Sequence, residues 1–385
     1  MTVEYIGAFQ VILGVIARFW PVWLAMAIVV GASIYYKKKL GLYGQIYDNN
    51  VGIAGVLICF FWLFTAIFSS TVAPFDPLAQ VPVMKDALPG AIVPDTGAVY
   101  YFGGDKLARD VFSRMVYGSQ IVLIIAPAAT AFALMVGATL GLPAGYYGGR
   151  IDSVLSFLAN LVLAFPVILL FYLLVTPGIV ETGLPVWLAG LFFLFPIIFF
   201  VALFYTRFKN RPERLYLLLG LTILIGGWIY VGLVFDADPL GIVSIDPNQL
   251  NIFVAVVFAS SPGVFRIVRG LVMDIKTRDY IAAAQTRGES PWYIMLWEIL
   301  PNARGPLIVD ACLRIGYTTI LLGTLGYFGL GLAPESPDWG TAIKDASRLL
   351  RATIHPALPP TIALMSFVLG LNLLADALRE QSLKD

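Results

Sequence analysis

Tyr280-Ile-Ala-Ala-Ala-Gln-Thr-Arg-Gly288, closed further on by Leu300-Pro301-Asn302, decides how the rest of the chain is read. It lies in a polar, charged segment, residues 266–305, between apolar runs long enough to cross a bilayer. A plain turn between two spans needs far fewer residues, so the segment is expected to make contacts of its own. Thr277 or Asp279 is placed to cap a first short helix, whose free amides want a side-chain oxygen. Ala282, Ala283 and Ala284 join high helix propensity to the smallest side chain, which lets another surface approach closely. Gly288 is the expected stop, and Ser290-Pro291 the restart as N-cap and first helical residue. Trp292, Ile294, Met295, Leu296, Ile299 and Leu300 give the second helix an apolar surface suited to the membrane boundary, and Pro301 is expected to end it. On the residues alone two readings stand: a docking surface for another protein, or an amphipathic hairpin at the membrane interface.

The 385 residues are 59% hydrophobic and only 13% charged. Soluble domains carry about 25% charged residues. Half that share cannot solvate a surface of this size, so the chain is read as integral to a membrane. A net charge of +1 gives no field that would favour nucleic acid. Cys59 and Cys312 both lie in apolar runs and read as small core residues rather than a disulfide or metal pair. The single histidine, His355, stands beside Pro356 in a loop and reads as structural or solvated.

With about 20 apolar residues per span, about nine spans are expected: 19–36, 51–70, 119–142, 153–176, 187–206, 215–235, 250–265, 306–331 and 359–378. Lys37 to Lys39, Arg150, the run Arg207, Lys209, Arg211 and Arg214, and the basic residues of 266–305 then share one side, the inside, with the N-terminus outside and the C-terminus inside. Glu4 in place of a basic start, and Arg18 within the apolar run, argue against a cleavable signal. The alternative for residues 1–36 is a segment lying flat at the interface. Two outside loops are long, 71–118 and 332–358, the second carrying Pro334, Pro337, Trp339 and Pro356.

Charge inside a span usually marks an ion-coupled path. Eight of the nine spans have no ionisable residue in their middle; the exception is Asp310 with Arg314, spaced for an i,i+4 pair near the start of the eighth and read as structural. No phosphate-cradling G-x-x-x-x-G-K-[ST] loop, no H-E-x-x-H and no Ser/His/Asp set is present. The rival readings are a secondary transporter or channel acting alone and a membrane-embedded enzyme, both of which this inventory serves poorly, and an export-type or structural membrane subunit, which it leaves open. Energy for transport would come from a partner.

The stretch 280–301 resembles the EAA loop of binding-protein-dependent ABC importer permeases, specifically the C-type permease subunit of the dipeptide/oligopeptide/nickel family. Ala283, Ala284, Gly288, Leu300 and Pro301 fit that pattern by spacing, while Ala282 stands where the family has an acid. Residues 103–114, Gly-Gly-Asp-Lys-Leu-Ala-Arg-Asp-Val-Phe-Ser-Arg, resemble the family's G-T-D-x-x-G-R-D-V-x-S-R, with Gly104 for Thr and Ala108 for Gly, which makes the tight turn there less assured. Similar agreement is found at Gly145-Tyr-Tyr-Gly-Gly149 with Asp152, at Leu163-Ala-Phe-Pro166, at Phe328-Gly-Leu-Gly331 with Trp339-Gly340, and at Asn372-Leu-Leu-Ala-Asp376-Ala-Leu-Arg379.

The resemblance covers 51–385 and implies an all-α polytopic transmembrane helix bundle of the type I ABC importer permease fold, in which a six-span core is joined by an N-terminal span with a basic linker (1–50) and an inserted helical hairpin (187–245). It implies a homologous second permease subunit, two ATPase subunits that hold ATP and Mg, an extracytoplasmic substrate-binding protein and a prokaryotic inner membrane. This chain would itself bind no cofactor or metal and catalyse nothing. Arg278, Tyr280, Ala282, Ala283, Ala284, Arg287, Gly288, Leu300 and Pro301 would couple to the ATPases, with Arg278 and Arg287 as charged rim contacts. Pro166, Asp310, Arg314, Asp376 and Arg379 are expected to be structural. Peptides are the expected substrate, with nickel or another small solute as the alternative. The basic turn Arg207 to Arg214 is read as topology-setting charge, with anionic lipid as a second possibility.

Overall fold

The computed structural model describes residues 3–175, 179, 182–238, 241, 247–330, 335–347 and 353–382, and these are overwhelmingly helical. Gly331 and Pro334 lie outside the described residues. The principal helices are α1 (Ala8–Arg18), α2 (Trp20–Tyr35), α3 (Asn50–Ile67), α4 (Val111–Tyr147), α5 (Gly149–Ala164), α6 (Val167–Val175), α7 (Leu184–Phe208), α8 (Pro212–Phe235), α9 (Pro247–Ile275), α10 (Asp279–Thr286), α11 (291–302), α12 (Arg304–Phe328), α13 (Trp339–Ser347) and α14 (Leu358–Ser382). Among the described residues α3, α4, α7, α8, α9, α12 and α14 are each long and apolar enough to cross a membrane. The pairs α1/α2 and α5/α6 reach that length only together, bent by 50° and 82°. Counting each pair as one span gives nine.

Four boundaries differ from those expected, one of them that of α4, which covers Val111–Tyr147 where 119–142 was expected and so takes in the end of the 71–118 loop. The first apolar segment begins at Ala8 rather than residue 19 and bends at Phe19. The fourth is broken at Pro166, which has no amide hydrogen to give the preceding turn and which drives Phe165 to an extended ψ of 130°. The seventh, expected to end near 265, runs on to Ile275, because Arg266 and Arg269 find polar partners at Asn160 and Asp152 and need not leave the helix. At 37 residues α4 spans about 55 Å, well beyond the about 30 Å hydrocarbon layer, so one of its ends or both must project.

The chain divides into two compact units, residues 1–127 with 312–385, and residues 128–311. In the first, α3 packs along α14 at close range. A Cβ on Gly55 would lie 2.7 Å from the backbone nitrogen of Leu374, and one on Gly370 would lie 2.7 Å from the Ile58 side chain. α2 lies against α3 through Phe19 and Trp23 on Phe61, at 5.0 and 5.4 Å between ring centres. Strand β1 (Glu4–Tyr5) pairs antiparallel with β2 (Ala91–Ile92), and β2 with β3 (Val99–Tyr100). Residues 4–5 and the 71–118 loop are therefore on one side of the membrane. At the other end Asn49 donates to Glu380 at 2.9 Å, close to the Lys37–Asp48 ion pair. Between Tyr5 and Ala91 the chain crosses an even number of times, which α1/α2 and α3 supply.

The second unit is organised by a glycine stripe. Gly137, Gly141 and Gly145 recur at every fourth residue of α4, and a Cβ on any of them would come within 2.5–2.9 Å of Val264, Val268 or Val272 on α9. Small residues at this spacing let two backbones approach where lipid offers no hydrophobic drive. Helices α7 and α8 form a hairpin whose apolar stretches are only 17% and 11% buried by their own chain.

Candidate coupling site

Segment 276–303 lies wholly within the second unit and has two helices with a glycine break between them. α10 starts without a side-chain cap: Arg278 is the N-cap residue, and Thr277 Oγ1 donates instead to the Asp274 carbonyl at 2.8 Å. The expected caps, Thr277 or Asp279, are thus replaced by a tight exit from α9, and Asp279 sits in the first turn, where its charge suits the amide end. Gly288 ends the helix at φ 77°, with its amide on the Gln285 carbonyl at 2.9 Å and Glu289's on Ala284 at 3.2 Å. Ser290 Oγ accepts from the Tyr293 amide at 3.4 Å and Pro291 follows as first helical residue. The middle of α11, Ile294–Ile299, is a π turn.

One face of this hairpin is closed. Ile281, Ala284, Ile294, Met295, Leu296, Ile299 and Ala303 are buried in one cluster with Leu142, Val268, Val272 and Ile275, and Leu300 packs at its edge. The apolar side of α11 thus meets its own chain, which corrects its assignment to the membrane boundary; only Trp292 stays substantially outside. Ala284 is inside too, so its small side chain serves internal packing rather than an external contact. Pro301 does not end the second helix. It lies in the last turn, exposed, and the chain breaks two residues later at Ala303.

The other face is open. Tyr280, Ala282, Ala283, Arg287 and Gly288 are exposed, and nothing lies within 4 Å of where a Gly288 Cβ would be. Arg278 pairs with Asp274 at 3.2 Å and Arg287 with Glu298 at 3.0 Å, both near water, so each guanidinium is oriented by its own chain. The hairpin is fastened to the end of α4: Lys276 Nζ donates to the Gly145 carbonyl at 2.7 Å and Gln285 to the Tyr146 hydroxyl at 3.2 Å. Beside it Gly148 and Gly149 turn at φ 67° and 57° and Asp152 receives Arg269 at 2.6 Å, so the Gly145–Asp152 motif builds the floor under the hairpin.

The contact from the last turns of α7 was not foreseen in the sequence. Trp297 Nε1 donates to Thr206 Oγ1 at 3.2 Å and to the Leu203 carbonyl at 3.3 Å. Arg207 lies 4.8 Å over the Trp297 ring and donates to the Tyr293 hydroxyl at 2.9 Å. The signal was an indole in a buried helix, which must find an acceptor, in a chain with a basic turn still unassigned.

The expected structural residues are dispersed. Pro166 marks the break between α5 and α6, Asp310 and Arg314 lie one turn apart and half-buried on α12, and Asp376 and Arg379 are exposed on α14. In the first unit the 103–114 motif is a buried polar knot. Arg109 donates to Asp105 at 2.7 Å and Asp345 at 2.9 Å, Lys106 reaches Asp345 at 2.7 Å, and Arg114 holds the Ser336 carbonyl at 2.9 Å. Ala108 makes the tight turn despite its Cβ, at φ 63°. Gly104 suits its place, since a Cβ there would lie 1.9 Å from the Met84 carbonyl oxygen. Complete burial pushes Asp110 up to about 7 against the lowering bonds from Ser113. Trp339 is buried with its Nε1 on the Met115 carbonyl at 2.9 Å. His355 is half-buried against Gly103, and burial lowers its pKa.

The described residues thus form a polytopic helical bundle with an exposed small-residue hairpin. Residues 137–382 match the family described as binding-protein-dependent transport system inner membrane component, and the chain belongs to it. It is 27% identical over 336 residues to the dipeptide transport system permease protein DppC of Alkalihalophilus pseudofirmus, covering 87% of this chain and 86% of that one. To the di/tripeptide transport system permease protein DppC of Pseudomonas aeruginosa it is 26% identical over 351 residues, 90% and 93% of the two chains. To the glutathione transport system permease protein GsiD of Pectobacterium atrosepticum it is 28% identical over 283 residues, 74% and 72%.

Proposed function

We propose that this chain is one half of the membrane pathway of an ATP-driven importer of peptides, and that residues 279–302 are the lever on which the ATPases act. The relatives similar over most of their length are named for dipeptides, di- or tripeptides and glutathione, all of them peptides. A homologous permease subunit would complete the pathway, two ATPase subunits with ATP and Mg would sit inside, and a solute-binding protein would deliver from outside. The observation that carries the reading is the two-faced hairpin. Its inner face is locked into the α4–α9 core, while Tyr280, Ala282, Ala283 and Gly288 stay open to a partner. A push on the open face is then borne by the packed one, which is how a local closure becomes a rigid-body switch. Arg278 and Arg287, held by Asp274 and Glu298, are rim contacts whose direction is set before the partner arrives.

The test is Gly288→Trp in the reconstituted importer. The indole meets no atom within 4 Å of the missing Cβ, and the strain of a side chain at φ 77° is shared by the control Gly288→Ala, but only the indole would stand where the partner must close in. The variant should insert normally and let ATP hydrolysis continue with uptake lost. Uptake at the native rate would overturn the assignment of the lever.

A further inference from the structure

The turn between α7 and α8 and the start of α11 frame an open polar hollow of about 500 Å³. Arg207, Lys209, Arg211 and Arg214 line it, with Tyr293 and Glu289 on the side of the coupling hairpin. Four cations thus meet one carboxylate in a space ample for a phosphate group. Arg207 is committed, stacked on Trp297 and bonded to Tyr293. The side chains of Lys209, Arg211 and Arg214 have no partner among the described residues. Topology alone asks only that positive charge stay on the inside; it does not ask that the charges converge on one hollow. Helices α7 and α8 are long and apolar enough to cross a membrane and are little buried by their own chain, which suits an inner tip at headgroup depth.

We propose that this hollow is a binding site for an anionic phosphate group, supplied by a phospholipid headgroup or by a soluble phosphate compound, and that its occupancy steadies the coupling hairpin. Guanidinium groups hold phosphate through paired N–H donors, and an ammonium adds a mobile point charge. Tyr293 and Glu289 carry the effect onward, since they flank the restart at Ser290-Pro291. Binding stands on the cavity alone; the effect on transport rests on the lever reading, and the two are measured apart.

The full chain, purified in a neutral detergent, is titrated with short-chain phosphatidylglycerol, with short-chain phosphatidylcholine and with inorganic pyrophosphate. Retention is read by native mass spectrometry for lipid and calorimetry for pyrophosphate. Lys209→Gln with Arg214→Gln should weaken phosphatidylglycerol or pyrophosphate at least tenfold. Lys38→Gln with Lys39→Gln, the same loss of charge elsewhere on the inside, should leave affinity unchanged. Glu289→Gln should tighten it severalfold, a gain that misfolding cannot produce. Preference for phosphatidylglycerol over both other probes assigns the lipid headgroup, and binding of pyrophosphate alone assigns a soluble ligand. The proposal is overturned if both double variants bind alike, or if Glu289→Gln changes nothing. Transport by Glu289→Gln at fixed lipid composition then reports separately on the steadying effect.

Discussion

Ala108 carries a conformation that an L side chain resists, and its cost can be weighed. The left-handed region costs about 1–2 kcal/mol for a non-glycine residue. Glycine would relieve that, but it would lose the buried methyl, worth about 0.8 kcal/mol, and about 0.5–1 kcal/mol of chain entropy. Ala108→Gly should therefore stay close to native in thermal inactivation in detergent, whereas Ala108→Val should lose about 2 kcal/mol or more, because a branched Cβ is far less tolerant at φ 63°. Equal midpoints for the two variants would refute this. Asp110 makes a second prediction. Its folded pKa of about 7 lies above the ordinary 3.8, so between those values the folded chain holds a proton the unfolded chain has released. Stability contributed by this group is present below pH 4, falls as pH rises and is gone above 7. Asp110→Asn should shrink the decline of stability across that window, with Asp338, also raised by burial, leaving part of it. An unchanged pH profile would remove Asp110 from the account.

Elements were legible where a local rule decided them and less so where tertiary contact did. The glycine stop at 288 and the Ser290-Pro291 restart followed from backbone preference alone, and both stand. The cap of α10 did not, because Thr277 has a nearer carbonyl at Asp274. The end of α9 was missed because charge was read as the edge of the membrane, while Arg269 is neutralised by Asp152, distant in sequence. Which face of the hairpin is open could not be read at all: three alanines look alike until packing buries one. The stripe Gly137, Gly141, Gly145 was visible but unread, and it yields an element-scale test. Leucine at Gly141 would overlap Val268 and the Phe265 carbonyl, both about 3 Å from the missing Cβ. Gly141→Leu should cost at least about 2 kcal/mol and lower the yield of monodisperse protein. Gly227→Leu, with nothing within 4 Å, should be tolerated. Equal behaviour of the two would show that α4 and α9 do not need this approach.

For the molecule as a whole, the contacts of the first unit divide residues 4–5 and 71–118 from residues 37–49 and 380 independently of charge, and charge alone says which group is inside. Charge counting put Lys38 inside and the 71–118 loop outside; strand pairing and the Asn49–Glu380 bond separate the same two groups of residues. In a chain with Cys59 and Cys312 replaced by alanine, Lys38→Cys should be labelled by an impermeant maleimide only after the cells are opened. Asp95→Cys, exposed in the β2–β3 turn, should be labelled in intact cells. Labelling of both from outside would return residues 1–36 to the membrane surface. The β1–β2 pair also has a consequence for how the molecule is made. Glu4 and Tyr5 find their partners only after Ala91 and Ile92 have left the ribosome and been translocated. Until then the backbone donors of residues 4–5 have no strand to pair with, so the small sheet closes only after both intervening spans are in place.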